Sequence, residues 1–226
     1  MHTPLLRPIG FLAMTLAALL GMCACSTDQP APMEPFKRHR LESLSRSLDS
    51  ARVAQEQSRD DIGKSLDETD IDAPLTTRQE LEDAYDRARR DLATCQTRVR
   101  VAAERLKQAR RRGDDLFDEW DKEIGYYADD ALRREARLGF DQSKVRYDEA
   151  LAKLAAANES GTPLLVELSD RMLFFKHHRD QPDVVQPKRT PEVLTAMQKT
   201  RENLDAATEA ASSAVVRFVQ AAADAN

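Results

Sequence analysis

"TRQELEDAYDRARRDLATCQTRVRVAAERLKQARRRGDDLFDEWDKEI", residues 77–124, is the stretch whose reading decides the fold. Leu81, Tyr85, Ala88, Leu92, Cys95, Val99, Ala102, Leu106, Ala109, Gly113, Leu116 and Trp120 recur at alternating intervals of four and three. A period of 3.5 sustained over that distance specifies a helix with one apolar seam and a left-handed supercoil. Thr77 with Glu80 forms a capping-box signal: the hydroxyl reaches forward and the carboxylate back to unpaired backbone N–H groups. The helix should run to about Ile124, roughly 70 Å at 1.5 Å per residue. Gly125 offers a left-handed cap as its stop.

Working outward, a first helix is expected from about Phe36 to Leu66, carried by Leu41, Leu44, Leu48, Ala51, Ile62 and Leu66, with Gln55 and Ser58 interrupting its middle. Asp129 or Asp130 can cap a third helix whose stripe is Ala136, Phe140, Tyr147, Leu151, Leu154, Asn158, Gly161, Leu165, Leu168, Met172 and Phe175. Pro163 should kink or briefly break it, with Thr162 as a new cap and the stripe continuing in phase. After a loop with two prolines at 179–190, Thr190 and Pro191 start a fourth helix bearing Val193, Met197, Leu204, Ala207, Ala211, Val215, Phe218 and Ala222. Helices of this length with short connections double back to bury their stripes. The expected fold is therefore all-α, an elongated antiparallel bundle or coiled coil of about four long helices. Leu116, Trp120, Tyr147 and Phe175 are expected in its core. Each stripe can be filled within the chain or by a second copy, so a homo-oligomer is a candidate arrangement.

Composition agrees with long exposed helices: 32% of residues are charged, 5% aromatic, and only 7 are glycine. The 34 basic and 39 acidic residues nearly cancel, leaving a net charge of -5 and no basic excess of the kind nucleic acid demands. Two prolines and a glycine aside, the first 20 residues form a weakly basic start followed by the apolar run Phe11 to Leu20, too short to span a bilayer comfortably. "GMCACSTDQP" then reads as a bacterial lipobox. Cys25, preceded by the small Ala24, is the favoured lipidation site; Cys23, with Leu20 three positions upstream but bulky Met22 directly before it, is the alternative. Residues 1–25 are thus expected to be a lipoprotein signal peptide, 26–35 a proline-rich tether, and 36–226 a single helical domain. Three acyl chains would hold the protein firmly to a membrane. Ser26, rather than aspartate, after the lipidated cysteine implies the periplasmic side of the outer membrane in a Gram-negative host. Cys95 is left without a mature partner other than the anchor, and no structural disulfide is expected.

Three constellations invite a chemical reading. Asp114, Asp115, Asp118, Glu119, Asp121 and Glu123 lack a neighbouring histidine, an EF-hand glycine and any Glu-x-x-His pair, so they are expected to solvate the helix and meet Arg133, Arg134 and Arg137 across the turn. His177 and His178 in "FFKHH" point about 100° apart on a helix. They suit a cationic helix end better than a shared metal. The basic stretch from Arg98 to Arg112, above all Arg105, Arg110, Arg111 and Arg112, is either a solvated face or a contact for anionic lipid or acidic cell-wall polymer. There is no GxSxG, glycine-rich phosphate loop or CxxC pair, and neither cofactor nor metal is expected.

The blocks "LESLSRSLDSARVAQEQ", "LFDEWDKEIGYYADDALRRE", "VRYDEAL" and "DRMLFFKHHRD", after a lipobox, resemble an uncharacterised family of bacterial lipoproteins classed as a domain of unknown function (family number 2959). The "SGTP" break and the proline-rich loop depart from its pattern. The resemblance implies a periplasmic helical lipoprotein and supplies no activity or functional residues. Taken together, the expectation is a non-enzymatic envelope scaffold, spacer or adaptor, with partners among envelope proteins or cell-wall polymer. The alternative is a binding module using the basic face of the second helix.

Overall fold

The computed structural model describes residues 35–69, 75, 77–179 and 190–224. The lipobox, most of the tether and most of both long loops lie outside them. Five α-helices account for the described chain: α1 (Pro35–Thr69), α2 (Arg78–Gly125), α3 (Asp130–Ser160), α4 (Thr162–His178) and α5 (Pro191–Asp224). No strand occurs among the described residues. The fold is an all-α helical bundle.

Local chemistry sets the helix ends. Thr77 Oγ1 accepts from the Glu80 amide at 3.2 Å and Glu80 Oε2 accepts from the Thr77 amide at 2.9 Å, which completes the capping box of α2. Gly125 is not the left-handed stop expected of it. It stays inside α2, and Tyr126 closes the helix in right-handed geometry (φ -87°, ψ -10°), its N–H bonding to Glu123 O at 2.9 Å. The short connection needs only a right-handed last turn before Asp129, whose carboxylate accepts from Ala131 and Leu132 at 2.7 and 3.0 Å to start α3. Between α3 and α4 the interruption is a single residue, Gly161, also right-handed (φ -76°, ψ -20°). Gly161 rather than Thr162 is the cap position, and no side chain caps α4. Pro163 falls within the first turn, where its missing N–H has no intrahelical partner to lose. The helical phase therefore runs through the break.

Cross-helix contacts fix an up-down-up-down order. Arg98 bonds Asp61 at 2.8 Å, and Ser65 Oγ lies 3.3 Å from Cys95 Sγ, so the end of α1 meets the start of α2. Arg137 bonds Asp121 at 2.6 Å across the α2–α3 hairpin. Arg201 bonds Asp67, and Ser212 bonds Glu56, setting α5 antiparallel to α1. The α3–α4 pair runs parallel to α1 on one diagonal, and α2 parallel to α5 on the other.

The core is divided into three clusters along the axis. Leu41, Leu44, Leu48, Leu116, Phe117, Trp120, Tyr147, Val215 and Phe218 belong to the cluster at the hairpin end. Ile62, Leu92, Cys95, Leu164, Leu168 and Leu204 occupy the middle. Leu81, Ala84, Ala88 and Phe175 close the far end. Gln55 and Ser58, expected to interrupt the α1 stripe, instead continue it as buried polar members of an unbroken seam. In α3–α4 the innermost line is Tyr147, Ala150, Leu154, Ala157, Leu164, Leu168, Arg171 and Phe175. Asn158, Leu165 and Met172, read as stripe, are only half-buried. A helix flanked by two antiparallel neighbours buries about three positions per heptad rather than two, so the buried arc is wider than an a/d seam.

Close approach of α2 and α3 depends on Gly113. A Cβ there would lie 2.0 Å from Tyr147 Cζ and 2.1 Å from its hydroxyl, well inside any real contact. The Tyr147 hydroxyl donates to Arg110 O at 2.9 Å. Gly113→Ala would gain roughly 1 kcal/mol of helix propensity. It should nonetheless lose more through overpacking, which typically costs about 1–3 kcal/mol. A lowered urea midpoint with an unchanged helical circular dichroism spectrum is the expected result, and an unchanged or raised midpoint would contradict the packing argument.

Candidate functional site

Leu116, Trp120, Tyr147 and Phe175 are all buried. Tyr147 joins a ring cluster that sequence reading found only in part. Phe117 stacks on Trp120 with centroids 6.0 Å apart, meets Phe140 edge-on at 5.6 Å and Tyr147 at 5.1 Å, and Tyr147 reaches Phe218 at 6.4 Å. Phe117 was hidden among the acidic residues around it, one step off the seam. Burial, followed by the nearby Asp114 and Asp148 charges, pushes the Tyr147 phenol well above its ordinary range, so the group is a neutral donor. Cys95 is fully buried, and burial pushes its thiol up despite the Ser65 hydrogen bond. A thiol held in the protonated form is a packing group and a poor nucleophile.

The acidic residues at the end of α2 do not converge. Asp121 pairs with Arg137 and Glu119 with Arg40, while Arg133 bonds Asp130 on its own helix and the Tyr127 carbonyl. No group of three His, Cys, Asp or Glu side chains among the described residues is placed to hold a metal ion. His177 is exposed, whereas His178 stacks on Phe174 at 4.2 Å with Nδ1 2.9 Å from the Phe174 carbonyl. No described helix is long and apolar enough to cross a membrane. Cys23 and Cys25 lie outside the described residues.

One charged side chain that sequence reading passed over is buried. Arg171, 6% exposed, donates to Leu66 O and Thr69 Oγ1, both at 2.8 Å, and to Glu167 Oε1 at 3.0 Å. It thereby caps the C-terminal end of α1 from a different helix, placing a cation where the helix dipole is negative. The available signal was its phase with Leu164, Leu168 and Phe175.

Two surfaces remain. The first is apolar. Leu138 (62% exposed), Val145 (67%), Val166 (57%) and Leu173 (39%) stand at multiples of seven along α3–α4, with exposed Ala152 between them. The right-handed passage through Gly161 keeps them on one line. The second is basic. Arg105, Arg110, Arg111 and Arg112 are all exposed on α2. Arg105 and Arg112 turn toward α1 and line a groove of about 350 Å³ with Arg46, Ser43, Ser47 and Ser50. Arg110 and Arg111 do not line it.

Among protein families, the model described as "Protein of unknown function (DUF2959)" matches residues 31–189. No curated protein and no solved structure matches the chain.

Proposed function

We propose, from the premise that the chain belongs to the DUF2959 family of unknown function, that it is a lipid-anchored, non-enzymatic adaptor of the bacterial envelope. In this reading Cys25 carries the lipid, the bundle faces the periplasm from the outer membrane, and the partner is a helix of another envelope protein. The observation that carries the adaptor role is the exposed line Leu138, Val145, Ala152, Val166 and Leu173. Apolar residues on a seven-residue spacing, interrupted once by the exposed Glu159, match a second helix laid alongside, which meets such a line turn after turn. The lipobox supports the anchor, and the burial of the aromatic residues in packing supports a structural rather than catalytic protein.

Photo-crosslinking from position 145 in cells tests the role. Leu138→Glu with Val166→Glu, the crosslinking residue staying at position 145, should remove the crosslinked neighbours while changing stability by less than about 0.5 kcal/mol, as exposed substitutions do. An unchanged set of neighbours would exclude this face, and a product of doubled mass would identify the partner as a second copy. Radiolabelled palmitate should be lost in Cys25→Ala; label retained there overturns the assignment of the anchor.

A second reading, in which the basic face of α2 binds cell-wall polymer or anionic lipid, is favoured by one observation. Arg105, Arg110 and Arg111 make no ion pair among the described residues, whereas Arg98 on the same helix does.

A further inference from the structure

The groove between α1 and α2 makes the basic-face reading more specific, and the ligand assigned to it rests on that reading. Its wall carries Arg46, Arg105 and Arg112 together with Ser43, Ser47 and Ser50, and no carboxylate. Several arginines elsewhere in the bundle are neutralised by a carboxylate. Arg52 pairs with Glu56, Arg98 with Asp61, Arg137 with Asp121, Arg201 with Asp67 and Arg217 with Glu149. Among the described residues the three groove arginines touch only neutral acceptors, at the limit of bonding distance: Glu42 O and Gln108 Oε1 at 3.4 Å, and Ser43 O at 3.5 Å. The nearby Asp49 is occupied by Arg52, and Glu42 lines an adjoining groove that shares Arg46 with this one.

Thr94, Thr97, Thr195 and Thr200 fold their hydroxyls back onto the carbonyl four residues earlier, as helical hydroxyls do. Ser43, Ser47 and Ser50 make no side-chain hydrogen bond among the described residues, and Ser47 is buried. Three guanidinium groups and three uncommitted hydroxyls therefore converge on one concavity that offers donors and lacks anionic acceptors. Guanidinium forks match tetrahedral oxyanions in bidentate geometry, and a phosphate presents more acceptor oxygens to such a ring than a carboxylate can.

We propose that this groove binds a phosphate group, with Arg46, Arg105 and Arg112 supplying charge and the serine hydroxyls supplying orientation. The group belongs either to a phospholipid headgroup or to a soluble phosphate.

Calorimetry on the full chain in non-ionic detergent, with inorganic phosphate and separately with monomeric short-chain phosphatidylglycerol, tests this. Arg105→Gln with Arg112→Gln should weaken binding at least about 10-fold, the loss expected when charge-assisted hydrogen bonds are removed. Ser47→Ala should weaken it about threefold without altering charge. Arg110→Gln with Arg111→Gln removes the same charge outside the groove and should change affinity less than twofold. A lipid that binds at least tenfold tighter than inorganic phosphate assigns the group to a headgroup; comparable or weaker lipid binding assigns it to a soluble phosphate. Binding that falls only in the Arg110 and Arg111 variant overturns the groove but leaves the basic face standing. Equal losses in both double variants, with Ser47→Ala silent, mean a diffuse field and also overturn the groove. No binding of either ligand overturns both readings.

Discussion

Trp120→Ala is expected to destabilise the protein by about 3–5 kcal/mol, the range for truncating a buried aromatic. The indole is 6% exposed and stacks on Phe117, with Phe140 edge-on to it at 5.7 Å. Its removal deletes apolar area and leaves a cavity between α2 and α3 that the neighbouring rings cannot fill without leaving their own contacts. The partners are themselves joined to Tyr147, so the loss should exceed what the indole alone contributes. Equilibrium urea unfolding followed by circular dichroism reads the effect as a lowered midpoint. A change below about 1 kcal/mol would mean that the ring cluster repacks freely or that the indole faces solvent.

The second large effect is expected at Arg171. Arg171→Met keeps most of the side-chain volume but removes the guanidinium that joins α4 to the end of α1. Leu66 O, Thr69 Oγ1 and Glu167 each lose a donor. Hydrogen bonds from a charged donor contribute about 1.5–3 kcal/mol each. Methionine recovers some packing, and Glu167, being half-buried, can rehydrate. The net cost should therefore be about 2–4 kcal/mol. Arg137→Met, which breaks an exposed pair with Asp121, serves as the comparison and should cost under about 1 kcal/mol. If the two variants unfold at the same midpoint, the α4–α1 link is not a structural tie.

The sequence displayed the fold where one signal dominated. The seam from Leu81 to Trp120 was readable because every third or fourth residue was apolar and glycine and proline were sparse. Thr77 and Glu80, and the hairpin turn, were readable because capping chemistry is local. What stayed hidden depends on neighbours that the chain does not name. Ala150 and Ala157 look like ordinary helix formers until a facing helix buries them. Arg171 looks like a surface charge until the carbonyl of Leu66 arrives 105 residues away. Gln55 and Ser58 looked like breaks because polarity suggested exposure, yet the seam runs through them. Gly125 looked like a left-handed stop, but a turn ending in a right-handed Tyr126 needed none.

The candidate surfaces were legible to different degrees. The arginines of α2 were visible as a run, but their division between the groove and the outer face depends on which side α1 covers. The serines of "LESLSRSLDS" gave no sign by themselves. Their place opposite Arg105 and Arg112 exists only once α1 and α2 are antiparallel and in register. The outer line of α3–α4 was written in the sequence at intervals of seven, yet it lay beside a wider stripe that masked it.

The division of the core has a consequence for motion. Among the described residues its three clusters hold nineteen, seven and four buried residues from the hairpin end to the far end. Local opening costs least where few apolar contacts must separate. Backbone amides near Leu81 and Phe175 should therefore exchange with solvent sooner than those near Leu116 and Tyr147. The slow-exchanging end is also where the chain enters α1. A pull transmitted through the residues before α1 would thus arrive at the region that resists it best, while the opposite end keeps the freedom to reshape against whatever it meets.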